Sequence, residues 1–341
     1  MPLAWDQFGR PSFSSAFPAI VLKSPTLVRH RPSPLSVCLR SMYGEAVLLA
    51  HATTGQKVVV KHVLLDGLEE GEVRCAVSEA AALNKLSHPN IVQCLGSWIS
   101  VGSIDGAMSR PWVHGSESAR LPIDDDIQSR LIASIPKHNL DYPPISVNIL
   151  TEYVDGGSLE DLIARQATPF EEACVGCWLT QIIFALDHMH QRSLLHRDIK
   201  PANIFITKSG VIKLGDLGCC KVLQRPDEAC SSDYGSPLYL SPEVWQQGVC
   251  SHKSDIWSVG CVLYALLALR APFSAPDLAD KVKTSVPELL PAVYSSSLRT
   301  LALEMLQKNP SARPGTLELL SHPAMNGYID SWQEVAFDNQ K

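Results

Sequence analysis

Between Leu194 and Ile206 the chain reads LLHRDIKPANIFI, which sets His196, Arg197, Asp198, Lys200 and Asn203 between two apolar walls. Leu194-Leu195 before and Ile204-Phe205-Ile206 after have the composition of short buried strands, so the polar residues belong to a loop held at both ends. A solvated turn carries the same charges but needs no apolar brackets. Pro201 fixes the backbone inside the loop, and Asn203 stands where a short polar side chain can face back toward Asp198. The next segment, VIKLGDLG (211–218), is a second apolar run ending in an acid beside a glycine. An acid at a strand end, facing an asparagine, suits a divalent cation, because Mg²⁺ takes few carboxylates and completes its shell with phosphate and water oxygens.

Around this loop the hydrophobic period changes along the chain. AVLLAHA, TTGQ and KVVVKHV (46–63) read as strand, turn, strand, with the Thr-Gly pair as the hairpin signal. EVRCAVSEAAALNKLS (72–87) has helical spacing and is stopped at His88-Pro89-Asn90. IVQCLGSWI (91–99) and ISVNILTEYV (145–154) are further strands, separated by an irregular stretch over 100–145. A loop of that length in a compact domain is functional or disordered. Helical patterns follow at 171–191, 255–269, 297–307 and 314–321. A β-rich first third and a helix-rich remainder predict a two-lobed α+β protein.

Composition excludes several classes. A net charge of −6 argues against nucleic-acid or membrane-surface binding. The longest apolar run, Ile256 to Leu269, has the length of a buried core helix and not of a membrane span. Ten cysteines lie without a spaced framework, and with no clear signal peptide this suggests a reducing, cytoplasmic compartment. Cys174 and Cys177 have CxxC spacing, but no second pair completes a zinc site, so core packing is the expectation. Residues 1–37 are rich in Ser, Pro and Arg with Asp6 their only acid, as in some transit peptides, but the prolines oppose an amphipathic helix.

Taken in order, these motifs resemble the protein-kinase family over residues 44–325. The resemblance implies a bilobal fold: an irregular extension (1–37), a small antiparallel β-sheet lobe with one main helix (38–151, with the 100–145 insertion), a mostly helical lobe (152–325) and a short tail (326–341). It also implies ATP and Mg²⁺ as co-substrate and cofactor. Lys61 of VVVK matches the lysine that holds the α/β-phosphates, and Glu79 its ion-pair partner. Asp198 matches the catalytic base, and Asn203 and Asp216 the Mg²⁺ ligands, with Leu217 in place of the usual Phe. Asp255 in SDIWSVG matches the brace of the catalytic loop, and Glu243 and Arg313 the buried pair that supports the activation segment. Adenine would hang from the backbone of Glu152 to Val154, with Thr151 behind it.

Lys200 and Ser236 mark the serine/threonine type, in which the hydroxyl bonds both the base and that lysine. HRDIKPANIFI, GSPLYLSPEV, PFSAPDLADKV and YSSSLRTLALEMLQKNPSARP look most like the NIMA-related (Nek) kinases, which implies protein substrates, a cytoplasmic location and a link to the cytoskeleton. Ser158 and Ala202 stand where arginine-directed kinases carry acids, so an apolar residue upstream of the target fits better than a basic one. The 100–145 insertion is a candidate surface for a regulatory partner.

The glycine-rich loop departs from the family. With Gly44 as its third glycine, the first two fall on Leu39 and Ser41, and the valine that covers adenine falls on Ala46. Glycine lets the backbone come close to phosphate. Either the loop is degenerate and nucleotide binds weakly, or residues 1–40 are not the natural lead-in to the first strand. The intact Lys61, Glu79, Asp198, Asn203 and Asp216 weigh against the alternative, a pseudokinase scaffold. GSPLYLSPE, which builds a peptide ledge in the family, weighs against a small-molecule kinase. Ser232 occupies the position of the family's activating threonine, where a phosphate would pair with Arg197. Ser232→Ala is expected to lower protein phosphorylation by the purified chain; unchanged activity would remove Ser232 from regulation.

Overall fold

The computed structural model describes residues 27–29, 40–41, 44–51, 55–101, 145–223, 230–231, 235–274 and 276–329. These fall into two compact units, one from residues up to 67 with 96–101 and 145–150, the other from 68–95 and 151–329.

The first unit is built on a sheet of β1 (Leu27–Arg29), β2 (Arg40–Ser41), β3 (Gly44–His51), β4 (Lys57–Leu64), β5 (Cys94–Val101) and β6 (Ile145–Glu152). Its order is β1-β3-β4-β6-β5, with β2 also on β3. β1, β2 and β4 each run antiparallel to β3. The expected hairpin is present: Val47 faces Val60 and Leu49 faces Val58, and all four are buried. Alternation puts Ala46 opposite Lys61 on the other face. Of the irregular stretch, residues 102–144 lie outside the described residues, as do Ser232 and the tail beyond 329.

In the second unit, α1 (Glu70–Lys85) buries Val73, Ala76, Val77, Ala80 and Leu83, a three-to-four spacing along one face. Its first turn is closed by Glu72, whose carboxylate accepts the Glu69 N–H at 2.8 Å. Next come α2 (Leu159–Arg165) and α3 (Glu172–His190). The short pieces are β7 (Leu194–Leu195), β8 (Ile204–Ile206), β9 (Ile212–Leu214), β10 (Lys221–Val222), β11 (Cys230–Ser231), α4 (Pro242–Gln247) and β12 (Val249–Cys250). The rest is α5 (His252–Ala268), α6 (Leu278–Thr284), α7 (Ser296–Met305) and α8 (Thr316–Leu320).

α3 and α5 form the core. α3 buries Val175, Leu179, Ile182, Ile183, Leu186 and Met189. α5 is buried over most of its circumference, with Trp257 and Tyr264 fully enclosed. It is the helix expected from the long apolar run, and no described helix is long and apolar enough to cross a membrane. On α3, Cys174 is exposed and Cys177 half-buried. The glycine between them is a packing device: a Cβ on Gly176 would overlap the ring of Tyr328, whose hydroxyl donates to Glu172 Oε1 at 2.7 Å. Among the described residues no group of three or more His, Cys, Asp and Glu is gathered as a metal cluster. α2, α4 and α6 were not marked by the periodicity; at 6–7 residues they depend on caps and tertiary contact, not propensity.

One buried ion pair ties α4 to the turn just ahead of α8. Arg313 is 1 % exposed and grips Glu243 with two parallel bonds of 2.7 Å. Its remaining donors go to the carbonyls of Gln307, Lys253 and Lys308. Burial works to raise the Glu243 pKa, but the Arg313 bonds and the Ser254 hydroxyl outweigh it and hold the carboxyl below its ordinary value. Removing one partner of such a pair strands a buried charge, at a cost of about 3–5 kcal/mol. Arg313→Ala is therefore expected to lower stability by about that amount in a denaturant titration, whereas an exposed pair such as Arg270–Glu288 is expected to cost less than about 1 kcal/mol when broken.

Candidate active site

The loop at 196–200 is held as its sequence demands. Leu194, Leu195, Ile199 and Ile204 are all buried, β7 pairs with β10, and β8 pairs with β9. The loop's backbone hangs on one carboxylate, that of Asp255 in the first turn of α5. Asp255 is 2 % exposed and accepts the His196 N–H at 3.0 Å, the Arg197 N–H at 2.9 Å and a bond with His190 Nε2 at 2.9 Å. Burial alone would raise its pKa, but the His190 bond and the His196 amide reverse the sign and hold it below the carboxylate norm. Arg197 turns at φ +66°, a left-handed conformation that costs energy for a non-glycine residue and persists only when its surroundings over-determine it. His196 is fully buried, with Nε2 3.1 Å from the Gly215 carbonyl, which links the loop to the segment after the Ile212–Leu214 strand that carries Asp216.

Four side chains then converge. Lys200 Nζ lies 2.8 Å from Asp198 Oδ2 and 2.7 Å from Ser236 Oγ. Ser236 gives both its N–H and its hydroxyl to Asp198 Oδ1, each at 3.0 Å. Asn203 Nδ2 donates to the Asp198 carbonyl at 2.8 Å and to Oδ2 at 3.0 Å. The structure thus brings Asp198, Lys200, Asn203 and Ser236 into one cluster. Gly235 allows the last of these to arrive: at φ +117°, a Cβ there would meet the Arg197 carbonyl at 3.0 Å and Leu240 at 2.7 Å.

Asp216 joins through the backbone. The Gly215 N–H donates to the Asn203 carbonyl at 2.9 Å, and Asp216 turns at φ +54°. With Asn203 Nδ2 committed to Asp198, its Oδ1 is turned away from that carboxylate. Cys219 senses both acids: burial, then Asp198 and Asp216, push its thiol up to about 12. Cys220, fully buried against the Ser78 carbonyl of α1, is raised to about 12, first by burial and then by Glu79. Both therefore stay thiols at neutral pH. Leu217 is fully buried, as an apolar residue at that position requires.

The remaining candidates lie on their own elements. Glu79 is buried on α1. Lys61 lies on β4, and Gly44 opens β3 opposite Ser41. Glu152 ends β6 with its side chain 2.7 Å from Lys213 Nζ and its N–H on the Gln93 carbonyl; Val154 follows, half-buried. Ser158 is the N-cap of α2 and gives its hydroxyl to Asp161 at 2.7 Å. His190 carried no signal in the sequence; only the fold brings it to Asp255.

A family model described as "Protein kinase domain" matches residues 41–325. The chain belongs to the protein kinase family. The sheet with α1, followed by the mostly helical part, is its fold. Serine/threonine-protein kinase Nek6 of Oryza sativa subsp. japonica is 32 % identical over 294 residues, covering 85 % of this chain and 47 % of the relative. Serine/threonine-protein kinase Nek4 of Mus musculus is 30 % identical over 300 residues, covering 87 % and 33 %. Nek1 of Mus musculus is 32 % identical over 282 residues, covering 82 % and 20 %. The kinase chain spans less than half the length of these relatives.

The brace gives a pH prediction. Asp255 has a lowered pKa when folded, so its stabilisation is present above the unfolded value of 3.8 and is lost as pH falls through the lower folded value. Asp255→Asn is expected to lower the thermal midpoint at neutral pH and to flatten its fall in acid. An unchanged acid limb in the variant would mean that other carboxylates govern it.

Proposed function

We propose that this kinase domain transfers the ATP γ-phosphate to serine or threonine hydroxyls of proteins. The hydrogen-bonded cluster on Asp198 is the observation that carries the reading. Asp198 is proposed as the base, and its two oxygens already accept from Lys200, Asn203 and both donors of Ser236. A carboxylate offers about four lone-pair sites, so an incoming hydroxyl takes the place of one donor and is aligned by the rest. Lys200 holds the carboxylate still and supplies positive charge where charge develops. Asp198 receives the hydroxyl proton as the oxygen attacks. Positioning of this kind is the main need of phosphoryl transfer, which asks little covalent chemistry of the protein.

The residues present fit Mg²⁺. Asn203 and Asp216 offer hard oxygen donors joined through the Gly215–Asn203 hydrogen bond, and Mg²⁺ is satisfied by one or two such ligands with phosphate oxygens. When bound, Mg²⁺ neutralises phosphate charge. Lys61 and Gly44 are proposed to meet the phosphates, Glu79 to orient Lys61, and the backbone of Glu152 and Val154 to meet adenine. Arg197 is proposed to receive a phosphate on Ser232. Ser158, whose hydroxyl serves a helix cap, offers no acid to a substrate arginine, which supports an apolar residue upstream of the target. The named activity of the Nek relatives supports the serine/threonine class, and the family supports protein substrates; a cytoplasmic location is proposed with them.

A second reading, a scaffold with weak nucleotide binding, rests on Leu39 and Ser41 in the place of family glycines. Transfer of labelled γ-phosphate to a generic protein substrate with Mg²⁺ separates the two. The expected result is transfer that Asp198→Asn lowers by roughly 10²–10⁴-fold. No transfer by either protein, repeated with a longer N-terminal lead-in, would establish the scaffold.

A further inference from the structure

We propose that Cys230 and Cys250 are a peroxide-oxidisable thiol pair that closes to a reversible cross-strand disulfide. β11 and β12 run antiparallel with Cys230 directly opposite Cys250 and Ser231 opposite Val249. Directly opposed residues of an antiparallel ladder have Cα atoms about 4.5–5.5 Å apart, inside the separation of about 4.4–6.8 Å that a disulfide spans. The two sulfurs are 2.8 Å apart, and the Cys250 S–H also reaches the Cys230 carbonyl at 3.3 Å. Closure therefore needs no shift of either strand.

The two thiols differ as an attacking and a resolving cysteine must. Cys230 is half-buried, whereas Cys250 is 3 % exposed and lies behind it among Leu195, Leu223 and Val244. The hydrogen bond from Cys250 favours the Cys230 thiolate; burial opposes it, Arg197 and Lys221 assist it, and the pKa falls to about 7. Cys177, Cys219, Cys220 and Cys261 are all shifted upward, chiefly by burial. Cys230 is therefore favoured over those four, because the thiolate is the nucleophile.

The chemistry balances with hydrogen peroxide as the oxidant. The Cys230 thiolate attacks one peroxide oxygen and the O–O bond breaks. A sulfenic acid forms, and hydroxide leaves and takes up the proton released by Cys230. The Cys250 sulfur then attacks the sulfenic sulfur, the S–O bond breaks, and the departing hydroxide takes the Cys250 proton. Two thiols and one peroxide become one disulfide and two waters. A dithiol reductant reverses the step by exchange. The closed ring contains Gly235 and Ser236, so the segment that reaches Asp198 becomes covalently tied to the strand ahead of α5.

The test uses the full chain, reduced, then exposed to stoichiometric hydrogen peroxide and digested under alkylating conditions for mass spectrometry. The expected result is a linked peptide pair joining Cys230 to Cys250, lighter than the sum by two hydrogens and separated again by dithiothreitol. The thermal midpoint should rise by roughly 3–6 °C on oxidation. Cys250→Ser should abolish both changes and leave Cys230 as a sulfenic or sulfinic acid. Cys230 and Cys250 still alkylatable after the exposed Cys174 has been oxidised would overturn the proposal. So would Cys230 linked to any other cysteine of the wild type. No step of this test reads phosphoryl transfer, so its outcome is separate from that of the proposed activity.

Discussion

The carboxylate of Asp255 is the interaction on which the rest depends. Backbone N–H groups of a loop ordinarily go to water. Here those of His196 and Arg197 go to one buried acid, which His190 keeps ionised. That choice places the next residue, Asp198, and lets Arg197 hold a left-handed turn that would otherwise relax. Everything polar in the cluster is then positioned relative to α5, the most completely buried helix in the second unit. A charge removed from water is costly unless its partners are complete, and the donors around Asp255 supply that completeness.

The sequence made the loop and its surroundings legible because their physical demands were local. A polar octet between apolar runs, a period of two over 46–63 and helical spacing over 72–87 each led to the element found. Lys200, Asn203 and Ser236 meet Asp198 in the folded chain. The short helices were not legible, since six or seven residues carry too little periodicity and are held by neighbours. His190 and the clasp of Gly235 on the Arg197 carbonyl were invisible for another reason: each depends on residues brought together from more than 30 positions away, and neither residue type stands out in its own window.

Two pairs of cysteines show how little spacing alone reveals. CxxC at 174–177 looks like chemistry and proves to be a seat for a tyrosine ring. Cys230 and Cys250, twenty residues apart and without any motif, lie face to face. Pairing registers put them there, and a linear pattern does not carry register.

Because the amides of His196 and Arg197 are bonded to a carboxylate rooted in α5, they belong energetically to the core and not to the loop that contains them. Their hydrogens can exchange with solvent only when that root is disturbed, which for a helix enclosed on most sides requires opening much of the second unit. A segment drawn as irregular coil therefore carries the protection of a helix interior. The geometry of the Asp198 cluster therefore shares the lifetime of the fold itself.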